Sequence, residues 1–437
     1  MKRVLLFAPY FPPRRRVGSY RAFKFAIHLR KFGWDPLVVH LREKNERLSE
    51  REKEFLREVP CIPLSTPLDL TASSSGSYAP GKDQPGTTRK FMFSDYFDRA
   101  FPVDTWWPVF SYHHKTLQRI VREFKPDVLW STADPWSVHL AAMKIARNHN
   151  IPWIADFRDP WTLCPVRSRG RMPWARAMDK RAEKSILENA DHVTFTAENT
   201  AKRYLQHYTA LTTPVSTIYN SFDDVFFKPL QPNKPADAED EGKFRIMFYG
   251  RFRALSPAGP AVGLMEAVKK MDPDVYKTVT LQSSGSLPAA DVIRADRAGV
   301  YGAFETIPAE PYENTLNCLG QADMLLLSTE PGRDEIIPAK FWDYLAAGKP
   351  ILSFSQNPEI DEILRRTNTG RQFALTETGE AAALVVRCHN AWRQGKSLPF
   401  SDNAGHSRIQ RYSSRCTTAQ LAGLFDQLSK KGQSYQK

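Results

Sequence analysis

The chain has 437 residues, of which 42% are hydrophobic and 25% charged, with 22 Gly and 32 Pro, so it reads as globular, neither fibrous nor wholly disordered. Its length suits two domains, each large enough for its own core. The formal charge of +13, from 61 Lys and Arg against 48 Asp and Glu, favours an anionic partner. Nucleic acid is not expected, because the basic residues are scattered and no zinc-finger, RNA-recognition or helix-turn-helix signature accompanies them.

The chain opens with strand, loop and helix. "RVLLFAP" is a continuous apolar run, as in a strand buried on both faces, and "YFPPRRRVGS" is a loop. "YRAFKFAIHLRKFGW" places Ala22, Phe25, Ala26 and Leu29 at helical spacing with Gly33 as a stop, and "DPLVVHL" is a second strand. Strand, helix, strand in this order predicts a parallel sheet. Residues 43–100 break the rhythm: "REKNERLSEREKEFLREV" predicts a charged helix and "TASSSGSYAPGKDQPGTT" a polar loop, together a surface insertion.

Alternation returns with strands at "PDVLWST", "PWIADF" and "DHVTFTA", and helices at "SVHLAAMKIARNHN" and "ARAMDKRAEKSILENA". This predicts a first α/β domain over 1–225. His139, on a helix that also buries Val138 and Ala142, reads as structural. The stretch 226–243 is Pro-rich, then acidic, and predicts a linker. A second alternation covers 244–405: strands at "FRIMFYG", "YKTVTLQSSG", "DMLLLST" and "KPILSFS", helices at "AVGLMEAVKKM", "ENTLNCLGQA" and Pro338–Ala347. The predicted fold is α/β, two Rossmann-like domains facing a central cleft, with ligands beyond the carboxyl ends of the strands.

No apolar run reaches the roughly 18 residues that a membrane-spanning helix needs, and "MKRVLLFAPYFPP" lacks a secretory pattern, so a cytoplasmic protein is expected. The five cysteines, Cys61, Cys164, Cys318, Cys388 and Cys416, form no C-x-x-C pair and read as buried thiols.

The segment "EIIPAKFWDYLAAGKPIL" carries the most chemistry. Pro338 suits a first helical turn and Gly348 a C-terminal stop, while Lys340 and Asp343, three apart, share a face. Glu335 lies just before the helix, near free N–H groups where an anion would also settle. Taken alone, these residues equally suit an ordinary surface helix with a Lys–Asp pair. In the first domain, Gly18 permits close backbone approach and Ser19 and Arg21 could contact an anion, but a plain turn would read the same. Asp156, Arg158 and Asp159 stand at the carboxyl end of a strand; an Arg–Asp pair shaping the loop is the alternative to a site.

The segment "IPAKFWDYLAAGKPIL" resembles the donor-binding segment of the GT-B glycosyltransferases, in particular the retaining family 4, or group 1, enzymes of bacterial surface-polysaccharide synthesis. Glu335 matches the first acid of that group's E-x7-E pattern, and Asp343 stands where its second Glu would be. The resemblance implies that Asp343 accepts hydrogen bonds from the ribose of a nucleotide sugar, that Glu335 sits near the sugar ring, and that Lys340 faces the diphosphate. "FRIMFYGRFRALSPAG" is similar to the strand and loop where the family binds the donor diphosphate through a basic pair. Arg251 matches the first member and Arg253 is the candidate second. "VLLFAPYFPPRRRVGSYRAFKFAIHLRKFGWDPLVV" resembles the family's first strand, loop and helix, which makes Gly18, Ser19 and Arg21 cleft-loop candidates, and "IPWIADFRDPW", which resembles a surface-polysaccharide branch of the group, adds Arg158 to them. Where many members have a histidine, Asp-Phe-Arg-Asp stands here, leaving Asp156 and Asp159 as candidate catalytic carboxylates beside Glu335. The terminal segment 406–437 resembles the helix that crosses back to the first domain.

What the resemblance implies is a hexosyltransferase-like enzyme moving a sugar from a nucleotide-diphosphate-sugar to an acceptor hydroxyl, with retention, in cell-envelope or extracellular glycan synthesis. No cofactor or metal is implied. The acceptor would be a glycan or lipid-linked saccharide, and the positive charge would suit peripheral contact with an anionic membrane face. Two alternatives share the fold: a nucleotide-sugar epimerase, and a catalytically silent binding module.

Overall fold

In the computed structural model, the residues described are 1–14, 18–42, 47–65, 99–164, 170–225, 242–332, 334–401 and 408–434. The chain divides into two compact units, one of Met1–Asn220 with Ser414–Lys437, the other of Ser221–Ser413.

The first unit is built on a parallel seven-stranded sheet of order β3-β2-β1-β4-β5-β6-β7. Its strands are β1 (Lys2–Phe7), β2 (Trp34–Leu41), β3 (Cys61–Leu64), β4 (Val128–Ala133), β5 (Trp153–Phe157), β6 (His192–Phe195) and β7 (Val215–Thr217). The central strands are apolar almost without a break because helices cover both faces; Val4, Leu5 and Leu6 of β1 and Val128, Leu129 and Trp130 of β4 are all fully buried. The helix Ser19–His28 follows β1, and a 3₁₀ turn, Leu29–Phe32, ends at Gly33, whose φ of +82° needs a residue without a Cβ. Strand order reverses between β1 and β4, which makes the carboxyl ends of β1, β4 and β5 the natural ligand-facing edge.

One stretch of the region expected as a surface insertion belongs to this sheet. Cys61–Leu64 is the edge strand β3, paired in parallel with Val38–Leu41 of β2. The expected long helix shortens to Glu50–Leu56, started by a capping box between Ser49 and Glu52. The polar loop 71–88 and most of the linker 226–243 lie outside the described residues.

The second unit carries a parallel six-stranded sheet of order β10-β9-β8-β11-β12-β13. These are β8 (Phe244–Phe248), β9 (Val279–Ser283), β10 (Phe304–Thr306), β11 (Met324–Ser328), β12 (Ile351–Phe354) and β13 (Gly370–Phe373). Here the order reverses between β8 and β11. The sequence placed boundaries after 225 and 405, whereas the compact units divide at 220/221 and 413/414.

The last helix, Ser414–Ser434, belongs to the first unit. Phe425 meets the Trp34 ring edge-on at 5.2 Å between centroids, Asp426 accepts from Lys2 at 2.8 Å, and Ser414 bonds His28 at 2.9 Å. Among the described residues, no helix is long and apolar enough to cross a membrane.

Candidate functional site

Two clusters of site candidates form, one at the carboxyl ends of the strands in each unit. In the first unit, register decides what Asp156 does. Thr132, Asp156 and Thr194 are paired neighbours on β4, β5 and β6, so their side chains line up on one face of the sheet. Both threonine hydroxyls donate to the carboxylate at 2.7 Å, and Arg21 grips it through Nε at 2.9 Å and Nη2 at 2.8 Å. Arg21 also donates to the carbonyls of Ile218 and Tyr219, each at 3.0 Å. Burial alone would raise the Asp156 pKa, but Arg21 and the two hydroxyls outweigh it and hold the carboxyl below its ordinary value.

Asp156 is 0% exposed. It is therefore a buried structural anion and not a reacting carboxylate, and Arg21, its counter-ion, has no freedom to meet an external anion. The same holds for Ser19, which is fully buried and donates to the Arg14 carbonyl. The polar residues do stand at the strand end, and the end of β5 at Phe157 separates Asp156, inside the sheet, from the two charged residues that follow it.

Those two do gather at the edge. Arg158 Nη2 bonds Asp134 at 2.6 Å and Asp159 at 3.1 Å, so one guanidinium sits between two carboxylates at the ends of β4 and β5. Burial opposes its charge, yet the two acids more than compensate and its pKa is raised. Gly18 makes this possible: a Cβ there would lie 1.5 Å from Arg158 Nη1. Gly18 thus serves the guanidinium, and its φ of −80° demands no glycine on its own account. Asp134 was missed from sequence, although "STADPW" places it directly after the buried run of β4. Tyr10 stands nearby, its hydroxyl pKa raised by burial and then by Asp134.

The loop carrying Arg158 and Asp159 is braced from beneath. Glu183 is fully buried and accepts from the Thr162 N–H at 2.9 Å, the Thr162 hydroxyl, Tyr204 at 2.6 Å and Tyr208 at 2.7 Å. Tyr204 in turn accepts from the Trp161 N–H at 2.8 Å. His139 is buried as expected, bonded to Ser131 at 2.8 Å and stacked on Phe157, and burial pushes its pKa down to about 3.

In the second unit the helix runs Ala339–Ala347, with Pro338 as its extended N-cap residue and Gly348 closing it at φ +65°. Its apolar side buries Phe341, Trp342 and Leu345. Among the described residues, Lys340 and Asp343 form no ion pair with each other. Asp343 is buried, as is Glu335; Asp343 lies near Tyr249 and Tyr344, raising the pKa of both after the larger effect of burial. The Tyr344 hydroxyl accepts from the Tyr249 N–H at 2.8 Å, tying the helix to the end of β8.

Lys340 points the other way. Its ammonium lies 3.8 Å from the centroid of the Phe248 ring and would be 3.2 Å from a Cβ at Gly250, whose φ is +129°. Burial, and then the charge of Arg253, pushes its pKa down from the ordinary 10.5 to about 7. Arg253 sits in a tight turn whose backbone exchanges bonds with Ser256, at 3.1 and 2.7 Å. Arg251 lies across Gly285, with its Cγ 2.7 Å from where a Cβ would stand, and Ser284 N donates to Gly250 O at 3.0 Å. Among the described residues, none of Arg251, Arg253 and Lys340 forms an ion pair. Arg251 and Arg253 are exposed and Lys340 is half-buried, which puts three basic side chains near the end of β8.

Residues 84–226 match the family model described as Glycosyltransferase Family 4, about a third of the chain. No curated protein matches the sequence. Among solved structures, the chain is similar to sucrose-phosphate synthase from Thermosynechococcus elongatus, at 14% identity and a TM-score of 0.62, covering 98% of this chain and 99% of that one. It is similar to HepE from Anabaena in complex with UDP, also at 14% identity and a TM-score of 0.62, covering 98% and 100%. The fold is GT-B.

A structure assigned as a UDP-N-acetylglucosamine 2-epimerase, from Listeria monocytogenes, shares it at 11% identity and a TM-score of 0.57, covering 99% and 98%. At these identities the likeness establishes the GT-B architecture over both units, and the chemistry must be argued from the residues.

Proposed function

We propose that this GT-B protein transfers a sugar from a nucleotide-diphosphate-sugar to an acceptor hydroxyl, with retention, in the synthesis of a cell-envelope or extracellular glycan. The observation that carries the reading is the unneutralised trio Arg251, Arg253 and Lys340 beside two glycine-opened backbone segments. A diphosphate leaving group brings the negative charge that such a trio lacks, and cations already in place stabilise the charge that develops as the glycosidic bond breaks. Asp343, two aromatic hydroxyls beside it, would accept from ribose hydroxyls, and Glu335 would meet the sugar ring. In the first unit, Asp159 and Asp134, held apart by Arg158, would orient the acceptor hydroxyl.

The likeness to HepE supports the donor class, since that protein has been solved with UDP, with UDP and glucose, and with UDP-glucose. No metal or cofactor enters this scheme. The experiment is a panel of nucleotide sugars offered with cell-envelope extract, with products followed by mass spectrometry. Transfer from one donor supports the reading. The likeness to the epimerase structure favours a second reading, in which the same donor site inverts a sugar carbon. An epimerised donor formed without any acceptor would decide for that reading, and no turnover and no binding of any donor would defeat both.

A further inference from the structure

The basic turn beyond β8 is built around one ring. In the order Arg251, Phe252, Arg253 the two arginines are exposed, while Phe252 is buried, only 6% exposed. Arg253 pairs with Ser256 in an isolated antiparallel bridge, so the backbone there is extended and neighbouring side chains leave on opposite sides. The inward ring of Phe252 stacks on Phe248, with centroids 4.1 Å apart and planes 10° from parallel.

Phe248 is also the ring that seats Lys340, whose ammonium lies 3.8 Å from its centroid. A parallel ring at 4.1 Å fills one face of Phe248, so the ammonium takes the other. Phe252, Phe248 and Lys340 therefore stand in one column. The turn is also tied at both ends: Gly250 accepts from the Ser284 N–H at 3.0 Å, and the Ser328 hydroxyl donates to the Pro257 carbonyl at 2.7 Å. Between these ties the Phe252 ring carries the turn into the core that also holds Phe248.

We infer that Phe252 is the positioning residue of this site: its stack on Phe248 sets the direction in which Arg251 and Arg253 leave the turn, and it backs the ring on which Lys340 rests, so that all three meet one diphosphate. The inference rests on the reading of the trio as a diphosphate site. Phe252 faces the core, so it acts through these neighbours and not on the ligand. The role needs a flat ring. An aliphatic side chain of similar volume would fill the core but could not cover the face of Phe248, and a Phe248 ring free to tilt no longer holds an ammonium over its centre.

The probe is inorganic pyrophosphate, which carries the charge of the leaving group without a nucleoside or a sugar. Calorimetry gives its affinity for the full chain. Limited acetylation followed by peptide mass spectrometry gives the protection of Lys340, whose pKa of about 7 leaves its amine reactive in mildly alkaline buffer. Phe252→Leu is the first variant and Phe252→Met the second, each measured at a temperature where its own melting curve shows it folded. Hydrogen bonds to charged groups make one misplaced arm worth roughly tenfold to a hundredfold, so each variant should bind pyrophosphate more weakly by that factor. At a pyrophosphate concentration near the wild-type Kd, each should also lose the protection of Lys340 that the wild type shows. A side chain that only filled the core would move the melting temperature and leave both readouts in place. The inference is overturned if a folded variant binds pyrophosphate as tightly as wild type, if its Lys340 remains protected, or if the wild-type chain binds no pyrophosphate. Pyrophosphate binding without transfer from any nucleotide sugar would defeat the transferase reading and leave the role of Phe252 standing. Transfer by a folded variant at the wild-type KM for its donor would do the reverse.

Discussion

Binding of a diphosphate at Lys340 should take up a proton. The amine has a pKa of about 7 in the free protein because burial and Arg253 disfavour its charge. A diphosphate beside it reverses both effects: at about 4 Å and an effective dielectric near 20, one negative charge favours the ammonium by roughly 4 kcal/mol, enough to return the group to the ordinary lysine range. Above pH 7 the free protein is mostly neutral at Lys340 and the complex is charged. Affinity for UDP should therefore be greatest between about pH 6 and 7 and fall nearly tenfold per unit well above 7, with about 0.9 proton taken up per UDP at pH 8. The window from 7 to 9 lies above the last phosphate ionisation, near 6, so the ligand itself does not titrate there. Calorimetry in two buffers of different ionisation enthalpy measures the uptake directly. Linkage fixes the effect on stability as well. Between pH 7 and 10.5 the unfolded chain binds more protons at this site than the folded one, so stability rises with pH across that window. Lys340→Met should raise the melting temperature of the free protein at pH 7 while weakening UDP binding and abolishing its pH dependence. A flat affinity from pH 7 to 9 with no buffer-dependent heat would refute the placement of Lys340 against the diphosphate.

Asp156→Ala leaves Arg21 charged and buried without its partner, so chemical denaturation should show a loss of about 3 to 5 kcal/mol, with any residual transfer tracking the folded fraction. Gly18→Ala forces Arg158 off Asp134 and Asp159; a displacement of that size at a reacting centre costs roughly a hundredfold, so transfer should drop by that order while UDP affinity stays unchanged in calorimetry. Asp343→Ala should weaken UDP-sugar binding by about 1.5 to 3 kcal/mol, the worth of hydrogen bonds to a charged acceptor, and Asp343→Asn, which keeps the volume, should recover part of it.

Fold was legible in the chain because a doubly covered parallel sheet writes itself as isolated apolar runs, and β1, β4, β8 and β11 were each found from such a run. β3 was not, since "CIPL" contains a proline and sits at an edge, where pairing with β2 on one side replaces burial on both. The donor-side candidates were legible as residue types but not as geometry. Lys340 and Asp343 are three apart on one helix, yet Lys340 leans over Phe248 while Asp343 turns towards Tyr249 and Tyr344. Helical spacing reports which residues share a face and says nothing of the ring that captures an ammonium. On the acceptor side, Asp156, Arg158 and Asp159 lie within four positions, and the end of β5 at Phe157 keeps the first inside the sheet and leaves the other two beyond it.

Charge pairing separates the roles of the two units more sharply than any single residue does. In the first unit three buried or half-buried arginines are matched to acids: Arg21 to Asp156, Arg158 to Asp134 and Asp159, Arg171 to Asp179, while buried Arg14 lies over the Tyr10 and Trp106 rings. Matched charges set geometry; under the proposed transfer this edge would meet a neutral, hydroxyl-bearing acceptor. In the second unit, among the described residues, Arg251, Arg253 and Lys340 have no carboxylate partner; the two arginines are exposed, and burial, then the charge of Arg253, lowers the Lys340 pKa. A fold tolerates that strain where a ligand relieves it. The same asymmetry argues against a silent scaffold, because a protein with no anion to bind would gain stability from any substitution that removed Lys340.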